Sequence, residues 1–214
     1  MARGVFITIE GGEGAGKSTQ LARLAEALQQ SGREVVATRE PGGTEDAEAI
    51  RALLVGGAPG RWDPIAETLL HYAARAQHVA RLIRPALERG TAVLSDRFAD
   101  STMTYQGFGQ GVARETIRAI HAASLGRFAP DLTLILDLPV EVGLARAAGR
   151  QSTNRYERFN HDFHARVREG FLTIAREEPG RCVVIDASRP PDVVWRAIVG
   201  AVSGRLRLDL EDAA

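Results

Sequence analysis

Residues 5–19 read VFITIEGGEGAGKST, an apolar run followed by a glycine-rich turn that ends in Lys-Ser-Thr. The run is of strand length, and the residues after Lys17 begin a helical pattern that extends to about residue 31. Gly11, Gly16, Lys17 and Ser18 satisfy the spacing G-x-x-x-x-G-K-[ST] between that strand and that helix, which is the setting a phosphate-binding loop requires. Glycines let successive backbone N–H groups turn toward phosphate oxygens, and the helix N-terminus adds partial positive charge. Lys17 is the only lysine in a chain that carries 27 basic residues. Its thin, ammonium-tipped side chain fits inside such a loop, where a planar guanidinium does not. The loop residues Gly11, Gly12, Glu13, Gly14, Ala15, Gly16, Lys17, Ser18 and Thr19 are therefore the candidate ATP site, with Ser18 placed to contact Mg²⁺.

Further strand-like runs at 34–38, 91–95, 132–138 and 182–186 are nearly continuously apolar, as expected of strands buried on both faces. Helical patterns lie between and after them at about 45–55, 64–89, 113–125, 140–148, 157–178 and 191–207. Such alternation predicts an α/β fold with a parallel sheet flanked by helices. The 214 residues fit a single domain, and the polar, arginine-bearing stretch at 149–158 reads as a short lid within it.

Composition narrows the function. The formal net charge is zero, which gives no support to a general nucleic-acid binder. The single cysteine, Cys182, excludes an internal disulfide and a multi-cysteine zinc site, and its apolar setting suggests a buried thiol. No signal-peptide pattern and no long apolar stretch are present, so the expectation is a cytoplasmic protein with no membrane partner. An N-K-x-D guanine-reading motif is impossible without a second lysine, which argues against a GTPase. Asp96, at the end of the third strand run, is placed as the acidic partner of Ser18 in a Mg²⁺ site, and Arg97 beside it can fork onto a second phosphate.

Around the phosphate loop stand, in order, TREPGGT (38–44), YAARAQ (72–77), SDRFADSTMTYQG (95–107) and LDLPVEVGLARA (136–147). Together these resemble the thymidylate kinase family over about residues 5–200. The resemblance implies a P-loop nucleoside-monophosphate-kinase fold with a five-stranded parallel sheet and a short lid. It also implies ATP as co-substrate, Mg²⁺ as cofactor, conversion of dTMP to dTDP on the way to dTTP, and a homodimer. By the same resemblance Glu13 approaches the sugar 3′-OH and the phosphates, and Arg39 and Arg97 lie near the acceptor phosphate. Arg75 bonds the thymine edge, Thr102 and Gln106 face the base, and Tyr105 is a wall under C2′ that excludes a ribose hydroxyl. His71 occupies the base-stacking position where the family usually has phenylalanine, and Asn154-Arg155 stands where the lid often reads Asp-Arg. The loop itself carries no arginine, whereas the lid carries Arg150, Arg155 and Arg158, so the chain looks like the subtype whose catalytic arginines come from the lid. The expected catalytic set is accordingly Lys17, Arg97, Arg150, Arg155 and Glu13. The helices at 64–89 and 113–125 are the implied dimer contacts.

Overall fold

A computed structural model describes residues 3–149, 155–208 and 210. Five strands form one parallel sheet in the order β2-β3-β1-β4-β5: β1 (Phe6–Gly11), β2 (Val35–Arg39), β3 (Ala92–Asp96), β4 (Leu132–Asp137) and β5 (Cys182–Asp186). The expected five-stranded sheet is present. The three central strands are buried along nearly their whole length, but β2 and β5 are the sheet edges and carry half-buried and exposed residues. An edge strand has a neighbour on one side only, so the expectation of double-sided burial fails at these two.

The period of two along β1 divides the core. Ile7 and Ile9 pack with Leu24 and Leu28 of α1 (Lys17–Gln30) and with Trp195 and Ile198 of α9 (Pro191–Leu206). Phe6 faces the other way, toward Tyr72 of α3 (Pro64–His78), Val79 and Ile83 of a π turn (Val79–Ile83), and Leu87 of α4 (Arg84–Glu88). Thr8 and Glu10 share Phe6's parity. Both are buried polar groups, and both are satisfied: Thr8 by Thr133 at 2.9 Å, and Glu10 by the backbone N–H of Phe98 at 2.7 Å. Over β4 the same face packs Ile135 against Phe163, Val167 and Phe171, the last three on α8 (His161–Glu177).

The remaining helices are α2 (Glu45–Val55), α5 (Ala99–Thr102), α6 (Arg114–Leu125) and α7 (Val140–Ala148). α5 continues into a π-helical stretch, Met103–Gly109, and a 3₁₀ turn, Arg155–Arg158, precedes α8. The chain leaves β1 toward β2 on one side and leaves β3 toward β4 on the other. The loops part at the carboxyl ends of β1 and β3, where open α/β sheets place their ligands.

Candidate active site

The turn after β1 has the cradle geometry that its glycines allow. Gly14 (φ 69°) and Gly16 (φ 83°) are in the left-handed region, and a Cβ on Gly14 would stand 2.0 Å from the carbonyl oxygen of Gly143 in α7. That approach ties the PVEVG motif to the loop. α1 starts at Lys17 with no side chain capping it and no acid in its first turn, leaving its N–H groups free for an anion. The Lys17 ammonium donates to the carbonyls of Gly12 (2.8 Å) and Gly11 (3.2 Å), so it lies folded under the loop. Burial, then the nearby Arg97, lowers its pKa to about 8 against the pull of Glu13.

Asp96, the last residue of β3, accepts a hydrogen bond of 2.7 Å from the Ser18 hydroxyl. These two oxygens are hard donors at the mouth of the phosphate loop and fit a Mg²⁺ ion that takes its other ligands from phosphate and water. Next to them Arg97 adopts φ 75°, rare for a residue with a side chain. Three contacts hold this turn: the Ser95 hydroxyl donates to the Arg97 carbonyl (2.7 Å), the Arg97 N–H donates to the Ile9 carbonyl (3.0 Å), and Phe98 N–H donates to Glu10. The guanidinium then reaches Glu13 (3.1 Å), Tyr105 Oη (3.1 Å), Ser101 Oγ (3.1 Å) and the Gly11 carbonyl (3.0 Å). Burial would raise the Glu13 pKa, but Arg97 and Lys17 outweigh it and hold the carboxylate below the ordinary range. Tyr105 donates to Glu13 at 2.9 Å, which locks the ring beside the acid.

A cavity of about 510 Å³ opens from this corner. Lys17, Ser18, Asp96 and Arg97 are at its phosphate end, with Arg39 and Arg51 from β2 and α2. Arg39 is exposed and paired with Glu48, while Arg51 donates to the Pro41 carbonyl at 2.6 Å. Burial, then the charge of Arg39, lowers the Arg51 pKa. Both arginines pair with the single carboxylate of Glu48, which leaves a net positive charge at this mouth suited to an anion. Sequence reasoning missed Arg51, which reads like any other arginine on an amphipathic helix.

The other end is lined by His71, Arg75, Phe98, Gln106 and Tyr156. Arg75 is 2% exposed, and every described contact serves to aim it. Its Nε donates to Glu40 (2.7 Å), and Nη2 donates to the Phe98 carbonyl (3.1 Å) and the Thr102 hydroxyl (3.0 Å). Glu40 also bonds His78 (3.0 Å), which bonds Thr38 (2.8 Å). Among the described residues Arg75 Nη1 has no partner, and neither does Gln106 Oε1, whose amide nitrogen donates to Glu67. Thr102 is behind Arg75 rather than in the cavity lining. Burial, then Arg75 and Arg155, drives the His71 pKa down to about 3, so its ring is neutral.

The lid arginines divide. Arg150 and Asn154 fall outside the described residues. Arg155 is 1% exposed and does not line the cavity. Its guanidinium is held by Glu67 (2.6 Å), the Leu54 carbonyl (3.1 Å) and Tyr156 Oη (3.1 Å), away from the phosphate loop. Glu67 and Tyr156, like Arg51, carried no signal that sequence reasoning caught.

The phosphate loop and the buried polar pocket thus share one cavity. The thymidylate kinase family model matches residues 9–198. The chain belongs to the thymidylate kinase family. It is 56% identical to a thymidylate kinase of Caulobacter vibrioides, over 97% of this chain and 100% of that one. It is 54% identical to a thymidylate kinase of Pseudomonas fluorescens, over 96% and 98%. A crystal structure of thymidylate kinase from Ehrlichia chaffeensis superimposes with a TM-score of 0.74 at 35% identity, covering 92% of this chain and 97% of the other.

Proposed function

We infer that the chain transfers the γ-phosphoryl group of ATP to dTMP, giving ADP and dTDP, a step toward dTTP. The observation that supports the reading of the acceptor is a pair of atoms on cavity-lining residues with no hydrogen-bond partner among the described residues, the donor Arg75 Nη1 and the acceptor Gln106 Oε1. A thymine edge presents the matching acceptor O4 and donor N3–H. Two buried polar groups without partners are each destabilising by about 1–3 kcal/mol, and the right base relieves both.

The protein's contribution to transfer is alignment and charge. The loop N–H groups and Lys17 hold the β- and γ-phosphates, while Arg97, Arg39 and Arg51 hold the acceptor phosphate at the same mouth. These groups offset the repulsion between two anions that must approach in line. Mg²⁺, held by Ser18 and Asp96 with the ATP phosphates, would neutralise charge on the β- and γ-oxygens. We assign Glu13, fixed by Arg97 and Tyr105, to accept from the sugar 3′-OH, and the Tyr105 ring to the wall against a ribose hydroxyl. We assign Arg150 to the transferring group from the lid. Arg155, with its charge already matched by Glu67, serves to anchor the lid base.

Homodimerisation through α3 belongs to the same reading. Ile65 and Leu69, one turn apart on α3, are 41% and 50% exposed, and Leu53 of α2 is 40% exposed. Among the described residues no helix is long and apolar enough to cross a membrane. The reaction is tested by ³¹P NMR of the chain mixed with ATP, Mg²⁺ and dTMP. ADP and dTDP should accumulate in equal amounts, whereas inorganic phosphate without dTDP would contradict transfer.

A further inference from the structure

Glu67 belongs to no part of the phosphate machinery, yet it is fully buried and satisfied by four donors from two separate segments. Its Oε1 accepts from Gln106 Nε2 (2.8 Å), Gln110 Nε2 (3.0 Å) and Tyr156 Oη (2.9 Å), and its Oε2 accepts from Arg155 (2.6 Å). We propose that Glu67 is the positioning residue that sets the hydrogen-bond polarity of the base pocket, and thereby selects a pyrimidine with N3–H over one with a bare N3. This rests on the assignment of the pocket to the acceptor base.

An amide side chain can present either its oxygen or its NH₂ toward a ligand, and nothing in the amide itself decides which. At Gln106 the decision is made from behind. The Glu67 carboxylate accepts, so the NH₂ group faces it, and the oxygen of this cavity-lining residue is left without a partner among the described residues. With Arg75 Nη1 as the second free group, the pocket offers one donor and one acceptor. Thymine and uracil complement this pattern through O4 and N3–H. Cytosine offers NH₂ and an unprotonated N3, the reverse, and would put donor against donor and acceptor against acceptor.

The same carboxylate also fixes the ring at the pocket wall. Tyr156 Oη accepts from Arg155 (3.1 Å) and gives its single proton to Glu67, the stronger acceptor. His71 Nε2, 2.9 Å from Tyr156 Oη, must then be the donor of that contact. A neutral imidazole that donates from Nε2 keeps a lone pair on Nδ1. One buried acid in the first turn of α3 thus orients a glutamine on the π stretch and a histidine a turn further along its own helix. It also ties both to the 3₁₀ turn at the lid base.

The test compares dTMP with dCMP as acceptors in steady-state kinetics, for the wild type and Glu67→Gln. A glutamine at 67 can donate as well as accept, so Gln106 is free to invert. The kcat/KM ratio of dTMP to dCMP should fall by about tenfold or more, mainly through KM, with KM for ATP unchanged. A merely structural role would depress both substrates together and leave the ratio where it was. In a Gln106→Met background the Glu67→Gln change should no longer move the ratio, because the group it acts through is gone. Should Glu67→Gln fail to fold with Arg155 uncompensated, the charge-balanced pair Glu67→Gln with Arg155→Gln is read in the same way. An unchanged ratio in the folded variant overturns the proposal. A wild type that phosphorylates neither nucleotide overturns the acceptor assignment itself, and this inference with it.

Discussion

Arg75→Lys keeps a positive charge at the base pocket and removes almost everything else that Arg75 does. A lysine cannot span Glu40, the Phe98 carbonyl, Thr102 and a ligand at once, because the guanidinium fork supplies those directions together. With the ammonium retained by Glu40, two hydrogen bonds are lost at about 1 kcal/mol each. The guanidinium also stacks over Tyr72 and Phe98 at 4.7 and 5.3 Å, and the weakened cation–π contacts remove about another 1 kcal/mol. A loss of about 3 kcal/mol in a chain of this length lowers Tm by roughly 6–12 °C. Loss of the Nη1 contact to the base, a charge-assisted bond worth about 1.5–3 kcal/mol, should raise KM for dTMP by about 10–150-fold. The ATP site is at the other end of the cavity, so KM for ATP should hold. Thermal melting and steady-state kinetics with each substrate varied read all three quantities. A KM for dTMP within about twofold of the wild type would refute the assignment of Arg75 to the base.

Other changes probe the remaining parts. Lys17→Arg should lower kcat by about 100-fold or more while leaving Tm in place, since the loop around the ammonium has no room for a guanidinium; steady-state turnover beside a melt checks it. Arg155→Ala should lower stability by about 3–5 kcal/mol in denaturant titrations, because Glu67 would be left as a buried, uncompensated charge, whereas an arginine used only for chemistry would leave stability unchanged. Burial, then Asp100, raises the Glu10 pKa to about 7 in the folded protein. Between about pH 4.5 and 7 the folded state therefore binds more protons than the unfolded chain, so this group makes stability fall as pH rises through that window. Urea titrations should show the stability of the wild type relative to Glu10→Gln declining from pH 5 to pH 7.

The phosphate site was legible because it is local. One strand, one glycine turn and one helix start fall within fifteen residues, and each step has a short-range signal. The strands at the centre of the sheet were equally plain, since burial on both faces leaves uninterrupted apolar runs. The Met103–Gly109 stretch was not, because a π-helical continuation of a four-residue helix follows no hydrophobic period. Arg155 shows the deeper limit. It stands in a polar segment that reads as a lid carrying catalytic arginines, and its partner Glu67 is 88 positions away with no pattern linking the two. Long-range polar pairs of this sort exist only once the fold brings the helices together. Gln106 was assigned to the base by resemblance, but which end of its amide faces the cavity depends on Glu67 and could be read only from the packed structure.

The most direct test is ADP release measured at equal concentrations of dTMP, dUMP, dCMP and dAMP, with an acceptor-free control. A donor–acceptor pocket at Arg75 and Gln106, joined to the phosphate loop by one cavity, predicts turnover on dTMP and dUMP, whose bases share O4 and N3–H, well above that on dCMP and dAMP. Turnover on dCMP should be lower by about 100-fold or more, and release without an acceptor should be negligible. Comparable turnover of dCMP and dTMP, or ADP release that ignores the acceptor, would contradict the account.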